Sequence, residues 1–222
     1  MEYKPSAIFV YSLCDIGNSG ADDIEFVNNF VAYLRDEDLV MEIGCGIAPI
    51  KTVQMARLCR EKKKNVHIVG VDSGRPSAYW AQVLLKEDYD IDFEAGNYFR
   101  FLDPNKLPPI RHREMGRQVI DDAISLEARV VASNMCKHDD RDDDAAIKEI
   151  ADLFMENRYD FTRYGPRKFI AELNKKQEPE YKEVEWPKKG VQQKQHMCDR
   201  EDVPGWIPPG LEHEWRRGAY DD

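Results

Sequence analysis

Short apolar runs alternate along the chain with segments whose apolar residues recur every three or four positions. The apolar runs that predict strands are 39–43, 66–71, 91–94 and 129–133. The segments whose spacing predicts helices are 22–35, 49–61, 115–124 and 147–154, with a further helix expected after Pro76. This alternation predicts an α/β fold: a three-layer, doubly wound, mostly parallel sheet with helices on both faces.

The pattern is less regular toward the C-terminus. Residues 169–173, which follow Pro166, have the spacing of a short helix. Segments 180–186 and 191–197 flank a Pro-Lys-Lys-Gly sequence typical of a turn. We therefore expect a C-terminal β-hairpin at the end of the sheet.

Length and composition suit one domain of moderate size with a short appendage. The chain has 222 residues, of which 42% are hydrophobic, so it can fill a core. Proline, glycine and charged residues become frequent near the C-terminus. We therefore expect one domain over residues 1–200 and a tail over 201–222.

Charge and cysteine usage narrow the functional classes. The net charge of −10 argues against a broad electrostatic footprint for nucleic acid or an anionic membrane. The basic runs at 62–64 and 188–194 fit solvated surface. Five cysteines without short paired spacing indicate reduced thiols, and the apolar run at 7–13 is too short to span a bilayer. We expect a cytoplasmic protein with no membrane partner.

The most specific local signal lies where the first predicted strand ends in a glycine-rich turn. This stretch contains Glu42, Gly44 and Gly46. Glycines let a strand turn sharply into a helix and let backbone N–H groups approach a ligand. The next predicted strand ends at Asp72, whose carboxylate can accept ribose hydroxyls. Together these features predict a site for a nucleoside-bearing cofactor.

The residues around the turn distinguish between cofactors. A dinucleotide site has the form G-x-G-x-x-G, but Pro49 stands three positions after Gly46. Glu42 would repel a pyrophosphate and suit a cationic amino group or sulfonium. The stretch resembles the class I S-adenosylmethionine-dependent methyltransferases, whose first motif is acid-x-Gly-x-Gly and whose second strand ends in an acid. Ala48 stands where many members have glycine, and the resemblance covers about residues 22–160.

The resemblance implies S-adenosyl-L-methionine as cofactor and gives roles to individual residues. Glu42 is expected to face the methionine moiety, directly or through water, and Asp72 the ribose. Asn97 stands where family members commonly have an acid that accepts the adenine N6 hydrogen bond, which an amide oxygen can also accept. The expected cofactor-binding residues are Glu42, Gly44, Cys45, Gly46, Asp72, Ser73, Asn97 and Tyr98.

Two residues after the fourth predicted strand are catalytic candidates. Asn134 resembles the asparagine of the Asn-Pro-Pro-aromatic motif of amino-methyltransferases, although the prolines and the aromatic residue are missing. We expect Asn134 to orient the acceptor and His138 to take a proton from it. A plain surface loop is the alternative interpretation of this segment.

The acidic run 139–144 fits a solvated helix N-terminus, favoured by the helix dipole. A Mg²⁺ site, which some related O-methyltransferases have nearby, is the alternative, and no metal is expected.

The function expected from these residues is S-adenosylmethionine-dependent methyl transfer to an unidentified acceptor. A small molecule or a protein is favoured over nucleic acid as acceptor. Two alternatives remain: a nicotinamide- or nucleotide-binding oxidoreductase on a similar fold, and a non-catalytic module that binds S-adenosylmethionine.

Overall fold

The computed structural model describes residues 4–10, 21–45, 49–72, 90–95, 112–134, 143–165 and 168–185. The strands are β1 (Ala7–Val10), β2 (Asp38–Ile43), β3 (Val66–Asp72), β4 (Ile91–Ala95), β5 (Val130–Asn134), β6 (Tyr159–Tyr164), β7 (Lys168–Leu173) and β8 (Tyr181–Val184). The helices are α1 (Ala21–Tyr33), α2 (Ile50–Glu61), α3 (His112–Ser125) and α4 (Asp143–Glu156). In these ranges no helix combines the length and the apolar character needed to cross a membrane.

The described strands form one mostly parallel sheet. Their order is β4-β3-β2-β1-β5-β7-β6-β8. Strands β1 to β5 pair in parallel, whereas β7 runs antiparallel to both β5 and β6. Strand β8 pairs in parallel with β6 at the end of the sheet. Parallel pairing brings the carboxyl ends of β1, β2, β3 and β5 to one edge, where ligands of such sheets gather.

Helices cover both faces of the sheet. Phe9 and Val40 belong to a buried cluster with Phe30 of α1 and Met55 of α2. Residues that alternate with them, such as Ile8, belong to a second cluster with side chains of α3 and α4. Because successive side chains of a strand point to opposite faces, neighbouring residues of β1 serve different cores. The three-layer arrangement predicted from the sequence is therefore observed.

The direction of the crossovers explains why the helices divide in this way. From β1 the chain moves through α1 to β2 and through α2 to β3, toward one end of the sheet. From β4 it returns through α3 to β5 on the other side of β1, and continues through α4 to β6. Right-handed crossovers in opposite directions place their helices on opposite faces. The chain therefore reverses direction between β1 and β5.

Three strands differ from the sequence-based expectations. The predicted helix at 169–173 is wrong, because this segment is β7, whose Phe169, Ile170 and Ala171 are buried between β5 and β6. Strands β1 and β6 were not predicted. For β7, whose apolar residues are consecutive, the spacing alone does not distinguish a strand buried on both faces from a buried helix.

The C-terminal hairpin is also placed differently from the prediction. Its expected first arm contains β8, but β8 pairs in parallel with β6, and the expected second arm at 191–197 lies outside the described residues. Among the described strands, the antiparallel neighbours that follow one another in the chain are β6 and β7. Gly165, which follows β6, has a φ of 74°, a conformation that favours glycine in such a turn.

An ion pair between buried Asp38 and partly buried Arg129 lies at the edge of the sheet away from the glycine turn. Asp38, at the start of β2, forms an ion pair with Arg129 and accepts hydrogen bonds from the Ser6 hydroxyl at 2.8 Å and the Arg35 amide at 2.7 Å. Arg129 also donates to the carbonyl oxygen of Tyr33 at 3.0 Å. These charges have partners inside the fold, which indicates a structural role for this edge.

Lys64 departs from the expectation that the basic run 62–64 is solvated surface. Its ammonium group donates to the carbonyl oxygens of Val31 at 2.8 Å and Ala32 at 3.1 Å. These carbonyls lie in the last turn of α1, where a positive charge is favoured by the helix dipole. Lys62 and Lys63 are exposed, as expected.

Candidate functional site

The glycine turn and the tip of the next strand are adjacent. Ile43 at the end of β2 pairs with Val71 of β3, and the Gly44 amide donates to the Val71 carbonyl at 2.8 Å. The Cys45 amide points to the same oxygen at 3.4 Å. The turn after β2 is thus joined to the strand that ends in Asp72. The sequence correctly predicted that these two strand ends are neighbours.

Gly44 contributes shape to the turn. Its φ of 80° lies in the left-handed region, which residues with a Cβ rarely adopt. Because the amides of Gly44 and Cys45 are both directed at Val71, they stabilise the turn and are not directed at a ligand. The expectation that the turn presents backbone donors is therefore not met at these two positions.

Glu42 is buried beneath the amino end of α2. Only 1% of this residue is exposed, and it occupies the face of β2 that packs against α1 and α2. Lys51 and Thr52, from the first turn of α2, are the groups on this helix that interact with its carboxyl group. The end of the strand and the start of the helix therefore enclose Glu42 together with the buried side chains of Lys51 and Thr52 in a mainly apolar layer.

The environment of Glu42 changes its acidity. Burial raises the pKa of Glu42 to about 7, from an ordinary value of 4.5. The Thr52 hydroxyl and the Lys51 ammonium lower this pKa, and the Asp72 carboxylate raises it. The charge of Glu42 therefore changes near neutral pH.

Among the described residues, the carboxylate oxygens of Glu42 have no well-formed hydrogen bond. The Thr52 hydroxyl is close enough to favour the ionised form, yet within the described ranges neither oxygen of Glu42 meets a partner in hydrogen-bond geometry. A buried polar group without a partner is costly, and binding a donor there removes that cost. Glu42 is thus suited to receive a donor group from a ligand.

Asp72 and Cys45 complete the described part of the site. Asp72 is partly exposed at the tip of β3, and its carboxylate acts electrostatically on both Glu42 and Cys45. Burial raises the pKa of the Cys45 thiol strongly, and the two carboxylates raise it further. The thiol therefore stays protonated and is not a nucleophile. Two acids close together favour a cationic ligand over a pyrophosphate.

Several residues at the site were not found from the sequence. Lys51 and Thr52 face Glu42, and a signal for them existed because they lie in the turn of α2 that follows Pro49. Gly70 and Phe93 are also cross-strand partners beside the turn. A Cβ added to Gly70 would lie 2.8 Å from a ring carbon of Phe93 and 3.2 Å from the Cys45 sulfur. Gly70 therefore makes room for both side chains.

Asn134 does not lie next to the glycine turn. It ends β5, and β1 lies between β5 and β2. With strands about 4.8 Å apart, the ends of β2 and β5 are separated by about 10 Å. Asn134 is therefore at the correct edge of the sheet but is not a neighbour of Glu42.

The remaining predicted site residues have different outcomes. Gly46, Ser73, Asn97, Tyr98 and His138 lie outside the described residues. Most of the acidic run also lies outside them, but Asp144 is in the first turn of α4 and forms an ion pair with Arg163 of β6. The ion pair with Arg163 gives Asp144, one acid of the run, a structural role.

Because comparison with known proteins identifies no relative, the function is inferred from the site. No family model, curated protein or solved structure matches this chain. The described geometry provides a tight turn, a buried acid without a well-formed hydrogen bond, and a second acid at the neighbouring strand tip. Such an arrangement can bind a ligand that has both hydroxyl groups and a positive charge.

Proposed function

We propose that the chain is a class I S-adenosylmethionine-dependent methyltransferase. One observation supports this above the others: Asp72 stands beside the glycine turn, while Glu42 lies buried at its base without a well-formed hydrogen bond in the described residues. In the proposed complex Asp72 accepts the ribose hydroxyls, and Glu42 faces the cationic amino-acid end. The orphaned carboxylate of Glu42 fits this cofactor.

The proposed reaction needs few catalytic side chains. The sulfonium of the cofactor supplies an activated methyl group, so the protein contributes mainly alignment and exclusion of water. Gly44 fixes the turn, Asp72 holds the ribose of the cofactor, and Glu42 holds its amino-acid end. Asn134 is the proposed residue for orienting the acceptor, and His138 the proposed proton acceptor. The net charge of −10 favours a small molecule or a protein as acceptor over nucleic acid.

Calorimetric titration with S-adenosylmethionine and S-adenosylhomocysteine tests the cofactor assignment. We expect binding of both compounds and no response to nicotinamide dinucleotides. Asp72→Ala should weaken binding at least tenfold and leave the circular dichroism spectrum unchanged, because Asp72 is partly exposed. Glu156→Ala, which removes an exposed carboxylate from the end of α4, is the charge-matched control and should bind normally.

Three results would contradict the proposal. Unchanged affinity in Asp72→Ala would remove the ribose contact on which the site is built. Tight binding of a nicotinamide dinucleotide would favour the oxidoreductase alternative. Donor binding without label transfer from radiolabelled S-adenosylmethionine to any fraction of a cell extract would favour the non-catalytic module.

A further inference from the structure

Lys51 is an unusual residue for its position. It lies in the first turn of α2 with 5% of its surface exposed, one turn before the fully buried Met55. Lysine is almost never this buried without compensation by an opposite charge. A general helix-forming or solubilising role does not explain a lysine that is 5% exposed and acts electrostatically on Glu42. Its location at the base of the glycine turn suggests a role in the site.

The first turn of α2 is already electropositive without Lys51. The amino end of a helix carries a partial positive charge and several backbone N–H groups that lack intrahelical partners. Pro49 precedes the helix and makes no side-chain capping hydrogen bond, and this first turn contains no acidic residue. Lys51 therefore adds a full positive charge to a helix end that is suited to bind an anion.

Glu42 gives the same location a negative charge. Its carboxyl group lies within electrostatic reach of Lys51, is 1% exposed, and has no partner in hydrogen-bond geometry among the described residues. A negative group and a positive helix end stand side by side at the base of one turn. The ligand chemistry that complements this arrangement is an α-amino acid, which carries an ammonium and a carboxylate on one carbon.

We propose that Lys51 and the first turn of α2 bind the carboxylate at the amino-acid end of the cofactor, while Glu42 accepts a hydrogen bond from the ammonium group at the same end. This inference rests on the proposed function, because it assumes that an adenosyl group occupies the site beside Asp72. It adds a specificity rule: the site selects adenosyl compounds that carry a zwitterionic amino-acid arm. Lys51 is then a specificity-determining residue that contacts the cofactor.

Two ligands that differ in the amino-acid arm test this rule. S-adenosylhomocysteine carries the arm, whereas 5′-methylthioadenosine has the same adenosine and thioether without it. In calorimetric titrations, the wild-type chain should bind S-adenosylhomocysteine at least tenfold more tightly than 5′-methylthioadenosine. Lys51→Met should lose at least tenfold in affinity for S-adenosylhomocysteine and less than twofold for 5′-methylthioadenosine. Lys51→Arg, which keeps the charge, should recover part of the difference.

The controls separate this inference from a structural role of Lys51. Methionine keeps the approximate volume of lysine, and Glu42, whose pKa is about 7, can take up a proton when the positive charge of Lys51 is gone, so Lys51→Met should fold. Lys62→Met, which changes an exposed lysine just after α2, should bind both ligands as wild type does. If Lys51 had a role only in folding, Lys51→Met would lower the affinity for both ligands equally.

The outcomes also separate this inference from the proposed function. Equal losses for the two ligands, or unchanged binding of S-adenosylhomocysteine in Lys51→Met, would overturn the role of Lys51 and leave the methyltransferase proposal standing. Wild-type binding of 5′-methylthioadenosine as tightly as S-adenosylhomocysteine would overturn the specificity rule. Wild-type binding of neither ligand would overturn both proposals.

Discussion

Glu42 is the residue at which the stability of the fold and the chemistry of the site conflict. An apolar side chain at this position would pack under α2 without the cost of burying a carboxyl group. Instead the chain has an acid whose pKa is raised to about 7 by burial, next to the carboxylate of Asp72. Such a departure from local packing rules is typical of functional sites.

The stability of Glu42→Gln should depend on pH differently from that of wild type. The pKa of Glu42 is about 7 in the folded chain and near 4.5 in the unfolded chain, so the folded state binds the proton more tightly. Its contribution to stability is therefore greatest below pH 4.5 and is lost as the pH rises toward 7. Urea denaturation should find Glu42→Gln more stable than wild type at pH 8, by at most about 3 kcal/mol.

The difference between Glu42→Gln and wild type should shrink to less than about 1 kcal/mol at pH 5, where Glu42 is protonated in the folded chain. Glu156→Gln removes an exposed carboxylate and serves as the control, with no such pH dependence. An equal stability difference at pH 5 and pH 8 would show that the carboxyl group of Glu42 does not titrate in this range.

How far the sequence predicts the site depends on the kind of residue. Glu42, Gly44 and Asp72 were found because their spacing relative to strand ends is a property of the sequence. Lys51 was missed because its neighbours on α2 do not reveal that it faces Glu42 rather than solvent. Asn134 was placed at the correct edge, but its distance from the turn depends on β1, which the sequence did not reveal as a strand.

At the scale of elements, the pairing of β3 with β4 depends on a glycine. Gly70 pairs with Phe93, and the ring of Phe93 occupies the space where a Cβ of residue 70 would be. The same space borders the sulfur of Cys45 in the turn. The contact between these two strands therefore fixes one side of the candidate site.

Gly70→Ala should destabilise the chain because its Cβ would lie 2.8 and 2.9 Å from two ring carbons of Phe93. Overpacking of this kind costs about 1–3 kcal/mol, measured as the free energy of unfolding in urea. Phe93→Ala removes the ring but leaves the Cys45 sulfur 3.2 Å from the added Cβ, so in that background Gly70→Ala should cost clearly less, although not zero. Equal costs in the two backgrounds would show that the ring does not limit the space at Gly70.

The elements that the sequence predicted and missed differ in their local sequence signals. Helices α1 to α4 and strands β2 to β5 have one-sided periodicity or clear turn signals around them. Strand β7 was predicted as a helix because Phe169, Ile170 and Leu173 also fit helical spacing. Its real environment, between β5 and β6, is created by strands distant in sequence. Tertiary pairing of this kind overrides a local pattern.

For the whole molecule, the position of β1 in the sheet is decisive. It is the first strand in the chain, yet it lies between β2 and β5 in the sheet. Ile8 belongs to the cluster beneath α3 and α4, and Phe9 to the cluster beneath α1 and α2. One short strand thus joins the two cores and separates the glycine turn from the end of β5. Both cores should therefore unfold together.

Substitutions at Ile8 and Phe9 test this coupling, because each creates a cavity on a different face of β1. Ile8→Ala should cost about 2–5 kcal/mol and Phe9→Ala about 3–5 kcal/mol in the free energy of unfolding. In both variants, urea transitions followed by far-UV and near-UV circular dichroism should coincide, since one sheet carries both cores. Tyr181→Ala, at an aromatic residue 44% exposed on β8, should cost much less. Two separate transitions in either variant would mean that the faces unfold independently and that β1 does not couple them.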